Sequence, residues 1–334
     1  MSVTLRIERF VTTILGMDRD MARLTSDQLD FFTIPEKKQK YSNLLEFFHA
    51  ILLWNYDKTK KVSTAVEEAI QQKVVHYNGE DFKVTMSVAP IIKNGEKLFI
   101  LPSTREEMVF EALIKIATEN QLELQRKGQD EIGVHFTIRK IHSILEEAGH
   151  SYIIRQIKEA IDVLSLTNLS VSNADGSQKH SSQLLTEVWM RDRKAYLENP
   201  DVDCIVRFHS LVTKALEFAD YRLYNYYTCM NYKSPMSRWL HKRLVRNFRY
   251  AEYKGKPYSL KTSTFIENSP FKLNQSWSKT ASYITRASQE MIYDPETNPT
   301  GMGVSSNLGR LEKESEKKNS NVHLPIAIGG VISD

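Results

Sequence analysis

The stretch SPMSRWLHKRLVRNFRY, Ser234 to Tyr250, lays two patterns on one helical period. Ser234 is placed to cap the free amides, and Pro235 stands where its missing N–H is not needed. At about 100° per residue, Met236, Leu240, Leu244 and Phe248 fall on one side and Arg238, Lys242, Arg246 and Arg249 on another. Such a helix packs its apolar stripe into a domain and turns its basic stripe toward something anionic, for which polyphosphate is the obvious candidate. Taken alone, the pattern also fits a merely solvated basic face. A second helical segment, Ser276 to Ile292, changes the balance. There Trp277, Ala281, Ile284 and Met291 face inward, leaving Lys279, Ser282, Tyr283 and Arg286 outside with no acid until Glu290. Those side chains are donors suited to base edges and phosphates.

Constellations for catalysis are missing from the sequence. No glycine-rich loop ends in Gly-Lys-Ser/Thr, which argues against a P-loop nucleotide site. No HExxH or CxxC pair suggests zinc, and no His pair around one hydrophobic residue precedes a tyrosine as a metal-dependent nicking site requires. The tyrosines of YRLYNYYTCMNY lack an accompanying base or Arg/His cluster, so a packed helix face explains them better than a nucleophile. The expectation is a protein that is not an enzyme and needs no metal or other cofactor.

The elements that must position these residues come from a chain of 334 residues, long enough for two or three domains. It is 41% hydrophobic and 26% charged, ordinary for a globular protein. No run approaches the roughly 18 apolar residues of a membrane span, and the start MSVTLRIERF has no signal-peptide core. Cys204 and Cys229 are far apart and form no redox or metal motif, so a cytoplasmic setting is expected. The net charge of +4 is too small to argue for nucleic acid by itself, so its distribution matters more.

Residues 1 to about 40 are polar and weakly periodic. YSNLLEFFHAILLW predicts a helix, a second helix is expected around Ser63 to Val75, and DFKVTMSV with KLFIL suggests a strand pair about Lys93-Asn94-Gly95. Thr104 and Glu107 are spaced as a capping box for a helix through Val109, Leu113 and Ile116. IGVHFT reads as a strand, and Ile138 to Ala148 as a helix ended by Gly149. Ser151 starts a helix with Ile153, Ile157, Ala160, Ile161 and Leu164 inside and Tyr152, Arg155, Gln156, Glu159 and Asp162 outside. NLSVS and LLTEVWM then flank the turn-rich NADGSQKHSS. Helix, strand, helix, tight turn, helix and two-stranded ribbon is the winged-helix plan. The order recurs with CIVRF as a strand, a long helix from His209 to Met230, the basic helix, a helix-turn at Thr262 to Asn268 and the helix from Ser276.

The fold expected is therefore α+β, mainly α with small β wings, as two tandem winged-helix domains. Its parts are an N-terminal region (1–77), a first winged helix (78–195), a second (196–293) and a largely disordered tail (294–334). In a helix-turn-helix the second helix reads the major groove. The acids Glu159 and Asp162 make the first module a poor reader, with Arg155 or Lys158 left to hold a phosphate. Sequence-specific contact is expected from the second.

These segments resemble a known family, the theta-type plasmid replication initiators of bacteria. LPSTREEMVFEALIKIA resembles their lead-in helix, and GVHFTIRKIHSILEEAGHSYIIRQIKEAIDVLSLTNLSV their first winged helix. RFHSLVTKAL, YRLYNYYTCM, SRWLHKRLVRNF and STFIENSPF resemble the second, so the similarity spans roughly 80 to 290. Residues 1–75 and the segment after Met291 match little. The resemblance implies binding to double-stranded origin repeats (iterons), opening of an adjacent AT-rich segment, and recruitment of the host initiator and replicative helicase. It also implies self-association through the first winged helix, with dimers repressing the initiator's own gene. Arg238, Lys242, Arg243 and Arg246 match the family's basic helix, and Lys279 to Arg286 lie in its second reading helix.

Gln28-Leu29-Asp30-Phe31-Phe32 resembles the pentapeptide by which bacterial proteins bind the sliding clamp, with Phe31 in place of the usual Leu. Two further readings remain open: a winged-helix transcriptional regulator that binds a palindromic operator as a dimer, and a nicking or recombining enzyme with a tyrosine nucleophile.

Overall fold

The computed structural model describes residues 41–51, 54–56, 62–63, 70–77, 79–93, 95–119, 133–177, 179–190, 193–212, 221–247, 258–261, 271, 277–294, 298–306 and 323–328. The fold is α+β. The chain divides into two compact units, Met1–Leu223 and Tyr224–Asp334. That division lies later than the 195/196 boundary expected between the modules.

The first unit opens with β1 (Tyr41–Leu45), α1 (Glu46–Ile51), β2 (Val62–Ser63), β3 (Ile70–Tyr77), β4 (Glu80–Ser87), β5 (Ala89–Lys93) and β6 (Glu96–Ile100). Two sequence expectations fail here. The single helix expected over YSNLLEFFHAILLW begins as a strand, and the helix expected around Ser63 to Val75 gives way to β3. In β3, Val75 and Tyr77 are buried while Val74 and His76 are exposed, a two-residue alternation. Phe47 holds this sheet from α1, its ring 5.1 Å from those of Tyr77 and Phe82. β4 accordingly pairs with β3 across the Gly79 turn, while β5 pairs with β6 across Gly95.

The core is organised around α2 (Thr104–Glu119), which is buried on nearly every side. Its N-cap is set one residue earlier than expected. Ser103, not Thr104, stands just before the helix, and Glu106, not Glu107, reaches back to accept the Ser103 N–H and O–H at 2.8 Å each. The charges buried with α2 are paired: Glu111 with His49 at 2.8 Å, and Lys115 with Glu119 at 3.1 Å.

Next come β7 (Gly133–Phe136), α3 (Ile138–Glu147) and α4 (Ile154–Leu166). Thr137 caps α3 by accepting the Lys140 N–H. Gly149, at φ +80°, ends it in a Schellman turn, with its own N–H on Glu146 O and that of His150 on Leu145 O. α4 starts three residues later than expected, so Ile153 is an exposed flanking residue rather than core. Ile157, Ala160, Ile161 and Leu164 are buried as the spacing requires.

The ribbon after α4 is β8 (Asn168–Asn173) with β9 (Lys179–Gln183), continued by β10 (Leu185–Met190). KHSSQ, assigned above to the turn, is thus the hairpin's second strand, and LLTEVWM pairs elsewhere. At Leu184 the chain bends: the Leu184 N–H goes to Thr167 O and its carbonyl accepts from His209 N. β9 pairs with β8, whereas β10 pairs with β11 (Cys204–Phe208), which follows α5 (Arg193–Glu198). β11 also pairs with β7. CIVRF therefore completes the first unit and does not open the second.

The long helix expected from His209 to Met230 is interrupted by β12 (Tyr221–Asn225), after which α6 (Tyr226–Asn231) and α7 (Pro235–Asn247) follow. The second unit continues with β13 (Tyr258–Lys261), α8 (Trp277–Met291), β14 (Ile292–Asp294), β15 (Asn298–Ser306) and β16 (His323–Ile328). Residues 298–306 and 323–328, expected within a disordered tail, are strands. The helix-turn expected at Thr262 to Asn268 lies outside the described residues. The second sheet runs β14-β15-β16-β13, antiparallel throughout. In the first unit β8 and β9 belong to a four-stranded sheet, β3-β4-β8-β9, and β10-β11-β7 form a separate three-stranded one.

Candidate nucleic-acid interface

In the second unit α7 and α8 pack together through Met236, Leu240 and Leu244 on one helix and Ile284, Ala287 and Met291 on the other, all buried. The small Ser237 and Ala287 bring the backbones close: the Ser237 hydroxyl lies 3.2 Å from the Ala287 carbonyl oxygen. Burial of this stripe leaves Ser282, Tyr283 and Arg286 exposed on α8, as the spacing requires. Tyr283 is steadied by the Phe271 ring, 6.1 Å away at a steep angle. The backbone of Lys279 belongs to the same helix.

The basic stripe of α7 is not one continuous solvent face. Arg238 is buried at 1% exposure, its guanidinium donating to the Tyr232 carbonyl at 2.8 Å, and Lys242 is buried at 8%. Both were expected to face anionic partners; the packing of α6 and the chain around Tyr232 covers them instead. Arg243 and Arg246 are half-buried, Arg243 lying 5.5 Å from the Trp239 ring centre. Arg249 lies outside the described residues, as does the segment Gln28-Leu29-Asp30-Phe31-Phe32.

Between the buried arginine and lysine sits His241, within ring-contact distance of Tyr224 and Tyr232. Burial, reinforced by the nearby Lys242 charge, pushes its pKa down to about 3, so the imidazole is neutral. The first unit has a counterpart in His209, also lowered to about 3 by burial, with His180 adding to the effect. Its Nδ1 accepts the Leu211 N–H and its Nε2 lies 3.4 Å from Leu169 O, which fixes the proton on Nε2.

Of the outward set expected on α4, Arg155 and Asp162 are exposed, Gln156 and Glu159 are half-buried, and Tyr152 lies before the helix, half-buried beside the His150 ring. Arg155 is exposed, 3.8 Å from Glu159, and Glu159 also accepts from Arg105 at 3.1 Å. Lys158 corrects the sequence reading: its ammonium donates to the carbonyls of Tyr196 and Leu197 at 2.5 and 3.1 Å and lies 4.8 Å from the Tyr196 ring centre. It closes the C-terminal end of α5 and is not offered to a phosphate. Burial raises the Tyr196 phenol and pushes the Cys204 thiol up to about 11, so neither ionises near neutrality.

The residue sequence reasoning missed is Glu290. Placed four positions after Arg286, it reads as the first acid on the outward face, but its carboxylate turns inward onto α7. There it accepts the N–H groups of Lys233 and Ser234 and the Ser237 hydroxyl. Among the described residues no group of three His, Cys, Asp or Glu side chains is arranged to hold a metal, and no helix is long and apolar enough to cross a membrane.

No family model matches the chain, and no curated protein matches it. Two solved structures are similar in fold to a limited extent, both of domains 2 and 3 of RctB. One aligns over 71% of this chain and 81% of its own at 12% identity and a TM-score of 0.46. The other aligns over 72% and 83% at 14% identity and a TM-score of 0.42.

Proposed function

We propose that the protein is a non-enzymatic replication initiator of the theta-plasmid type, built from two winged-helix modules, that binds directly repeated duplex sites at an origin. The observation that carries this reading is the exposed face of α8. It offers Ser282, Tyr283 and Arg286 to solvent, while Glu290, the one acid nearby, is turned away onto α7. Hydroxyl and guanidinium donors on an exposed helix face suit base edges and phosphates. The first unit, whose α4 face carries Glu159 and Asp162 beside Arg155, is assigned to self-association and to repression by the dimer. AT-rich opening, recruitment of host initiator and helicase, and sliding-clamp binding through Gln28 to Phe32 complete the proposed cycle.

The test is selection from random duplex DNA with the purified protein at near-physiological salt. The expected result is an asymmetric site that recurs in tandem beside the protein's own gene. A lone palindrome would overturn the initiator reading in favour of a dimeric regulator, and no enrichment would overturn DNA reading altogether. A covalent protein–DNA adduct on a denaturing gel would overturn the non-enzymatic assignment.

A further inference from the structure

An exposed reading face is useful only if its helix is held at one rotation and one height. The apolar part of the α7–α8 contact does not secure that. Burial of Met236, Leu240, Leu244, Ile284 and Met291 is non-directional, and at the closest approach the facing residues are the small Ser237 and Ala287. A helix can slide or turn on such a surface with little change in buried area. Among the described residues the directional contacts are the Ser237 hydroxyl on the Ala287 carbonyl and, more numerous and charged, those of Glu290.

Its Oε1 accepts the Lys233 N–H at 2.5 Å, and its Oε2 accepts the Ser234 N–H at 3.2 Å and the Ser237 hydroxyl at 2.5 Å. These donors stand at and just before the first turn of α7, where backbone N–H groups lack intrahelical partners. A carboxylate there is favoured by the helix dipole and makes charge-assisted bonds. The cap of α7 is thus supplied by α8. Three bonds from both oxygens of one carboxylate fix a plane as well as a point. Arg286 lies one helical turn before Glu290, so the setting of the carboxylate is transmitted to the side chain expected to reach DNA.

We infer that Glu290 is the positioning residue that sets how α8 presents Ser282, Tyr283 and Arg286, and thereby determines discrimination between DNA sites without touching DNA. This rests on the DNA-reading assignment above. The experiment uses the full-length protein with Glu290→Gln, Glu290→Ala and Ser237→Ala. Dissociation constants are measured for the selected duplex and for a scrambled one, each corrected for the fraction of active protein by stoichiometric titration. The expected result is a roughly tenfold or greater loss of preference for the selected site in Glu290→Ala, the scale of losing charge-assisted bonds. Glu290→Gln should fall between, because its amide nitrogen opposes donors where the carboxylate accepted. Ser237→Ala removes the hydroxyl shared between Glu290 and the Ala287 carbonyl but no charge, and should give the smallest loss, about two- to fivefold. Scrambled-duplex affinity should stay within about twofold of wild type in every variant, because sequence-independent binding depends on charge and not on groove register.

If both affinities fall together with the active fraction, or if folded variants keep the wild-type preference, Glu290 is only a structural cap and the inference is wrong. Wild-type protein that fails to distinguish the two duplexes is a different result, and it would remove the DNA-reading assignment itself.

Discussion

In the first unit, α4 turns Arg155, Gln156, Glu159 and Asp162 toward its surface; in the second, α8, at the matching place in the order of elements, turns out Ser282, Tyr283 and Arg286. Each helix precedes an antiparallel strand pair, β8 with β9 and β14 with β15. Their electrostatics differ in the use made of each carboxylate. Glu159 remains on the surface and is held there by Arg105 and Arg155, whereas Glu290 is withdrawn to cap α7. Their cations differ in the opposite sense. Lys158 is tied to the carbonyls that end α5, while Arg286 is exposed. One unit thus presents a mixed-charge helix face and the other a face of donors, and it is this surface chemistry on which the proposed division of roles rests.

Among the described residues His209 in the first unit and His241 in the second are buried and neutral, and this gives the largest effect to test. His209 and His241 each have a pKa near 3 in the folded protein against 6.5 for the free side chain. The unfolded chain takes up protons that the folded chain refuses, so stability is full above about pH 6.5 and falls as the pH drops toward 3. Each histidine then removes up to about 1.4 kcal/mol per pH unit within that window. Urea unfolding between pH 7 and pH 4 measures this. His241→Phe keeps the ring and removes the titration, and among the described residues the Nδ1 it deletes has no hydrogen-bond partner. The acid sensitivity attributable to the second unit should flatten, while that from His209 persists; an unchanged pH profile would contradict the assignment.

Next in size is the contrast between the reading faces. Arg286→Ala should weaken binding to the selected site by about 1–3 kcal/mol and spare scrambled DNA, whereas Arg155→Ala should leave both unchanged. A loss with Arg155→Ala equal to that with Arg286→Ala would mean that both faces read DNA and would erase the distinction. Lys158→Ala should reduce stability by about 1–2 kcal/mol in denaturant melts through the lost carbonyl contacts, with DNA affinity intact once the protein is folded. Weaker DNA binding by a folded Lys158→Ala variant would return that lysine to the phosphate-holding role.

What the sequence made legible was local. The Gly149 stop and the buried stripes of α4, α7 and α8 each depend on residues within a few positions of one another. The misread elements depended on partners far away. Residues 63 to 75 satisfy a helical spacing, but β3 gains a strand's hydrogen bonds from β4 and a buried place for Tyr77 beside Phe47. KHSSQ carries no apolar alternation because none of its five side chains is fully buried, so nothing in its letters marked it as a strand. Glu290 meets its partners across 53 to 57 residues of chain, which no spacing rule covers. The candidate face on α8 was readable because it needed only one helix and its period.

The smallest expected effect separates residues that the sequence could not. Arg238 and Arg246 occupy the same stripe of α7, eight positions apart, and look interchangeable by period. Arg238 is buried and bonded to the Tyr232 carbonyl; Arg246 is half-buried near the end of the helix. Arg238→Ala should therefore act through folding, lowering the denaturant midpoint because a buried donor and its packing are lost together. Arg246→Ala should lower the denaturant midpoint by less than Arg238→Ala, because its side chain is half-buried and not fully buried. Its effect should instead appear in the salt dependence of DNA binding. Loss of one phosphate contact lowers the slope of log K against log salt by about 1, equally for selected and scrambled duplexes. An unchanged slope in Arg246→Ala would place the phosphate contacts off α7 and leave α8 as the basis of the proposed interface.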